Sequence, residues 1–203
     1  MKWFFEKYIQ PSEKNGPITV RRWFGKWSIY VDGYDNTSPY LQKIWQTLFE
    51  KFTISTERTT VKNILMLGLG AGGEIKTLYK LFPRCKITVV EYDQTMIALA
   101  KKMALYKPFP APHIIYADAA EAVLQLSGHY NIIIIDIFKG IEPSPLSCNK
   151  DFLKKLHSLL SDNGFLFVNI FKKRVDYLEP AQKVFRSVRS WTYEYNTFGI
   201  LQK

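Results

Sequence analysis

The stretch Asn63-Ile-Leu-Met-Leu-Gly68-Leu-Gly70-Ala-Gly72-Gly73-Glu74 constrains this chain more than any other. A short apolar run ends in glycines at Gly-x-Gly-x-x-Gly spacing, and a helical pattern follows. That context predicts a strand, a tight turn and a helix whose N-terminus faces a ligand. Gly68 suits the turn, Gly70 a ligand lying on bare backbone, and Gly73 close packing of helix on strand. Four further apolar runs repeat the theme, at 86–91, 113–117, 131–136 and 164–170. They are short and apolar on both faces, as central parallel strands are. Helical patterns lie between them, near 73–82, 94–105, 119–127 and 150–160, and another lies near 177–188. Two β-rich pieces, 191–197 and 199–202, meet at Thr197-Phe198-Gly199 and predict a terminal hairpin. The expected fold is α/β: a doubly wound, mostly parallel seven-stranded sheet.

The first fifty residues differ. Ile18-Thr-Val20 and Trp27-Ser-Ile-Tyr-Val31 flank Phe24-Gly25-Lys26 and predict a β-hairpin over 17–33. Leu41, Ile44, Trp45, Leu48 and Phe49 recur at helical spacing over 39–52. Trp3, Phe4, Phe5 and Ile9 read as an amphipathic N-terminal turn. The expected division is a hairpin-and-helix region over 1–52 and a nucleoside-binding domain over 53–203. Charges interrupt the apolar start, so it does not read as a signal peptide. An apolar run such as Ile132–Ile135 is far too short to span a bilayer. Two cysteines, Cys85 and Cys148, exclude a disulfide scaffold and point to a reducing, cytoplasmic setting. His113, His129 and His157 are scattered, so no metal is expected. The net charge of +10 is spread evenly, with Lys172, Lys173 and Arg174 as the largest run. It is compatible with a nucleic-acid partner, but a solvated basic surface accounts for it.

Three acids end successive strands. Glu91 lies twenty-three residues after Gly68, where a carboxylate accepts ribose hydroxyls. Asp118 is placed for an adenine amino group, or for capping the helix that follows. Asp136, delivered by four isoleucines, reaches the carboxyl edge of a central strand as a general base, a cation anchor or a loop anchor. The proline-rich loop 141–149 suits a lid. No Tyr-x-x-x-Lys relay of a nicotinamide enzyme occurs. Asp136-Ile-Phe-Lys139 is not the Asp-Pro-Pro-Tyr of a nucleic-acid amino-methylase. The terminal hairpin favours an S-adenosylmethionine (AdoMet) site.

Over roughly residues 17–203 the chain resembles the spermidine synthase (polyamine aminopropyltransferase) family and its methyltransferase-like relatives. Val31-Asp32-Gly33 resembles the family's Leu-Asp-Gly, and Tyr40 its active-site tyrosine. Gly68 to Gly73, including Gly70 and Gly72, resembles its glycine loop. Glu91-Tyr-Asp93 resembles its ribose-holding Glu-Ile-Asp, Asp118 its adenine-side acid and Asp136 its catalytic aspartate. The resemblance implies a Rossmann-like methyltransferase fold, AdoMet or decarboxylated AdoMet as cofactor, a small-molecule substrate, and a homodimer assembled through the hairpin that carries Trp23, Trp27 and Tyr30. Three departures stand out. Ala71 replaces the loop aspartate that meets the cofactor's propylamine, Lys139 replaces the second catalytic-loop aspartate, and Asp35–Pro39 shortens a Glu-rich stretch. A lysine about 4 Å from an amine repels it by roughly 4 kcal/mol at an effective dielectric near 20. The expectation is therefore a methyltransferase on a small acceptor. Aminopropyl transfer, with Glu142 in a rearranged acceptor site, and a non-catalytic nucleoside-binding module are the alternatives.

Overall fold

A computed structural model describes residues 4–53, 59–171 and 174–203. Trp3 and the pair Lys172 and Lys173 lie outside them. The main sheet contains β5 (Asn63–Leu67), β6 (Lys86–Glu91), β7 (His113–Tyr116), β8 (Tyr130–Ile135), β11 (Leu160–Asn169), β12 (Ser187–Tyr193) and β13 (Asn196–Gln202). Its strand order is β12-β13-β11-β8-β5-β6-β7, while β9 (Phe138–Lys139) and β10 (Glu142–Pro143) pair in a separate two-stranded ladder. β5, β6, β7, β8 and β11 run parallel, and β13 and β12 add an antiparallel edge.

Alternation explains the burial. Ile64, Met66, Ile132 and Ile134 point to one side, with α1 (Pro39–Phe52) and α2 (Gly73–Leu81). Leu65, Leu67, Ile133 and Ile135 point to the other, with α4 (Ala119–Gln125) and α5 (Lys150–Leu159). Each strand residue is covered, so a continuous apolar run is stable there. In α1, Trp45 packs edge-on against Phe198 at 4.8 Å and Phe49 against Phe167 at 5.3 Å. Burying such a ring is worth about 2–3 kcal/mol. Ser38 accepts from the Leu41 amide to cap this helix, and Pro39 opens it.

The N-terminal region is a four-stranded antiparallel sheet rather than a hairpin alone: β1 (Phe5–Ser12), β2 (Gly16–Trp23), β3 (Lys26–Val31) and β4 (Tyr34–Thr37). Its inner face, Ile18, Val20, Ile29 and Val31, packs on Met96, Leu99 and Met103 of α3 (Gln94–Met103). The expected N-terminal turn is instead the edge strand β1, because Phe5, Lys7 and Ile9 alternate at the strand period and pair with β2. Trp27 is half-buried beside the inner face, so Trp23 is the more exposed of the two hairpin tryptophans.

Two C-terminal expectations are corrected. The helix near 177–188 is two short 3₁₀ turns, Val175–Leu178 and Pro180–Lys183, because Pro180 removes a backbone donor and only single turns form. The terminal turn is Glu194-Tyr195, not Thr197–Gly199. Gly199 lies within β13, where a Cβ would meet Leu178 at 2.4 Å. The glycine serves close packing, not a turn.

Candidate active site

The order of the parallel strands reverses between β5 and β8, and open α/β sheets bind ligands at the carboxyl end of such a point. Gly68 follows β5 and Asp136 follows β8. A cavity of about 470 Å³ opens there, within the range of small-molecule sites. Its wall includes Gly68, Gly70, Glu91, Asp118 and Asp136, so the sheet gathers five of the eight residues singled out from sequence.

The other three have different surroundings. Gly72 is the left-handed residue before α2, and Gly73 lies where a Cβ would meet the Gln42 side chain at 2.8 Å. Gly73 thus lets α1 pack against α2. Tyr40 does not line the cavity. It is 41% exposed and donates to Glu194 in the β12–β13 turn. Its neighbour Leu41 takes the cavity wall, since successive helix residues point about 100° apart. Burial and the Glu194 carboxylate push the Tyr40 phenol up to about 12. Tyr34, on β4, lines the cavity instead.

Glu91 is buried and accepts three backbone amides: Leu69 at 2.8 Å, and Tyr92 and Asp93 at 2.9 Å. It ties the glycine loop to the end of β6. Burial raises its pKa, against the lowering effect of those bonds. Asp118 caps α4 through the Ala120 amide at 2.7 Å while lining the cavity. Asp93 caps α3 through Thr95 and also accepts from Ser12 Oγ and Asn15 Nδ2, each at 2.5 Å. This fastens the β1–β2 turn beside the cavity, which Lys14 and Asn15 line.

Asp136 lines the cavity and accepts from Asn169 Nδ2 at 2.9 Å. Burial pushes its carboxyl up to about 6, and the Asn169 bond opposes the shift. Asn169 ends β11, so the strand-end logic that found Asp136 also points to it. Two other acids belong to this end. Asp35 lines the cavity, and burial raises its pKa while a bond from Ser38 lowers it. Glu74, 4% exposed in the first turn of α2, is pushed up to about 8, first by burial and then by Asp136 and Asp35. From sequence Glu74 reads only as a favourable first-turn acid. Among the described residues no cation pairs with Asp35, Glu74 or Asp136. Oδ1 of Asp35 and Oδ1 of Asn36 are buried acceptors with no hydrogen-bond partner, on two cavity-lining residues.

Two expectations about charge change. Ala71 is fully buried against the N-terminal sheet and does not line the cavity. Its amide donates to Thr37 Oγ1 at 2.9 Å. The basic net charge also stops at the cavity, where Glu13, Asp35, Glu91, Asp118 and Asp136 face Lys14 and Lys139. No group of three His, Cys, Asp or Glu suited to a metal occurs among the described residues. No helix among them is long and apolar enough to cross a membrane.

The family model for the spermine/spermidine synthase domain matches residues 49–190. A polyamine aminopropyltransferase of Clostridium botulinum is 30% identical over 52% of this chain and 39% of its own. The eEF1A lysine and N-terminal methyltransferase homolog of Drosophila melanogaster is 24% identical over 68% of this chain and 22% of its own. The chain thus spans less than half the length of either relative. A probable spermidine synthase from Corynebacterium glutamicum superimposes with a TM-score of 0.79 at 17% identity, covering 96% of this chain and 79% of that one. At that identity the likeness shows the fold.

Proposed function

The chain belongs to the spermine/spermidine synthase domain family, and from that premise we propose that it is an AdoMet-dependent methyltransferase acting on a small, amine-bearing acceptor. The observation that carries this reading is the acidic wall of Asp35 and Asp136, which no cation pairs among the described residues, beside the unsatisfied Oδ1 atoms of Asp35 and Asn36.

The residues present fit the cofactor. Glu91 and Asp118 would hold its adenosine half, beside the open backbone of Gly68 and Gly70. The orphaned Asp35 and Asn36 oxygens suit donors of a cationic group, because a buried acceptor gains most from a charged partner. Lys139, with Lys14, offers a partner for a carboxylate. When bound, AdoMet supplies an electrophilic methyl group on a sulfonium. Asp136 does the proton work. Held by Asn169 at one oxygen and with a pKa near 6, it is largely ionised at neutral pH. It takes the proton that an ammonium must lose before its nitrogen becomes a nucleophile.

Aminopropyl transfer from decarboxylated AdoMet draws on the same acidic wall. The two readings part at Lys139, which favours a cofactor that keeps its carboxylate. Calorimetric titration with each cofactor separates them. AdoMet is expected to bind at least as tightly as the decarboxylated form. Tighter binding of the decarboxylated form overturns the methyltransferase reading. Binding of AdoMet with no methyl transfer to any small primary amine would leave a nucleoside-binding module.

A further inference from the structure

We propose that the outer face of the N-terminal sheet binds single-stranded nucleic acid. The inner face is occupied by α3, so strand alternation sends Phe5, Lys7, Arg21, Trp23, Lys26 and Tyr30 to the opposite side. Phe5, Lys7, Arg21, Trp23, Ser28 and Tyr30 line a hollow of about 360 Å³ there. Phe5 is 51% exposed and Trp23 59%, with their rings 5.5 Å apart. The Arg21 guanidinium lies 4.6 Å over the Tyr30 ring.

The charge on this face has one sign. β1, β2 and β3 contribute Lys7, Arg21 and Lys26 to it and no carboxylate. Glu6 lies on the opposite face, against Arg22. On β4, Asp35 pairs in register with Tyr30 but turns into the cavity wall and is bonded to Ser38. Flat aromatic surfaces interleaved with cations are what a single strand requires: bases stack on the rings and phosphates meet the cations. A duplex offers only its phosphates. A second copy of the chain, the occupant expected from sequence, would bring two sets of these three cations into one interface with no carboxylate from β1, β2 or β3 between them, and like charges brought together at an interface are unfavourable.

The test is fluorescence anisotropy with labelled 15-nucleotide oligo(U) and oligo(dT), and a duplex of equal length, at several salt concentrations. Single strands are expected to bind, with a log K against log salt slope of about −2 for three phosphate contacts. Trp23→Ala should weaken binding about tenfold or more through lost stacking. Lys7→Glu and Arg21→Glu should weaken it by a similar factor, about tenfold. Lys7 is exposed, so its variant reports even if Arg21→Glu unfolds the sheet. None of these residues lines the main cavity, so AdoMet titration of the same variants should be unchanged. A preference between oligo(U) and oligo(dT) identifies the natural strand as RNA or DNA, and binding of either supports the proposal. Four results overturn it: no binding at low salt, a duplex bound as tightly as a single strand, unchanged binding by Lys7→Glu and Trp23→Ala, or a dimer in light scattering that these variants dissociate.

Discussion

Gly68 and Asp136 meet backbone to backbone: a Cβ on Gly68 would lie 2.2 Å from the Asp136 carbonyl oxygen. The two residues follow the last paired positions of β5 and β8, Leu67 and Ile135, and the Asp136 amide donates to Leu67 at 2.9 Å. The close approach of these two strand ends sets where the Asp136 carboxylate starts.

Gly68→Ala should therefore damage fold and site together. Its φ of +94° disfavours any side chain, and the added methyl collides with the Asp136 carbonyl, whose residue is held in place by its own amide bond to Leu67. A loss of roughly 2–4 kcal/mol is expected in urea denaturation, with a weaker AdoMet titration. Wild-type stability would remove the contact as a constraint.

Glu91→Ala leaves the amides of Leu69, Tyr92 and Asp93 without their acceptor. Abandoned donors of this kind cost about 1–3 kcal/mol each, with less than full additivity. The variant should melt lower and bind AdoMet at least about tenfold more weakly. If only binding falls and the melting temperature holds, the carboxylate is a ligand contact and not a loop anchor.

Asp136→Asn should leave the fold intact, because the amide oxygen still accepts from Asn169. AdoMet affinity should change little, while turnover with the right acceptor should fall by about 10²-fold or more. A protein that is destabilised yet fully active would make Asp136 a structural residue.

The buried acids give a pH signature. The Glu74 carboxyl is raised to about 8 and that of Asp136 to about 6. A carboxyl raised by folding stabilises the fold while protonated. The contribution is complete below the ordinary carboxylate range near 4 and is lost as pH rises through about 6 and then about 8. Denaturation of the ligand-free protein should show stability falling over that interval by on the order of a few kcal/mol. Glu74→Gln should flatten the upper part of the curve. An unchanged curve in that variant would mean that Glu74 is ionised in the fold.

Asp93→Ala removes the cap of α3 and the tether to Ser12 and Asn15. About 1–3 kcal/mol should be lost, and limited proteolysis should cut faster at the β1–β2 turn. Equal cleavage rates in variant and wild type would show that the turn does not depend on this tether.

The main sheet was written into local pattern. Ile132 to Ile135 cover both faces of β8, a run that only a strand between two helical layers can bury. The glycines after Leu67, Glu91 as the last residue of β6, and Asp118 and Asp136 just past β7 and β8 sit at strand ends because each strand ends where its apolar run ends. Period and punctuation therefore placed Gly68, Glu91, Asp118 and Asp136 on one edge before any contact was known. Other features depend on partners distant in sequence. Gly199 looks like a turn glycine until Leu178 is seen above it, and Gly73, expected to pack its helix on a strand, faces Gln42 of α1. Tyr40 reads as a site residue, but the rotation of α1 gives the wall to Leu41, and β4 supplies Tyr34. The basic chain hides an acidic cavity because Asp35 and Asp136, far apart in sequence, meet on its wall, with Glu74 buried close enough to feel both, only when β4, α2 and β8 are packed. Burial at that meeting point, which no single segment encodes, is what shifts their protonation and gives the site its chemistry.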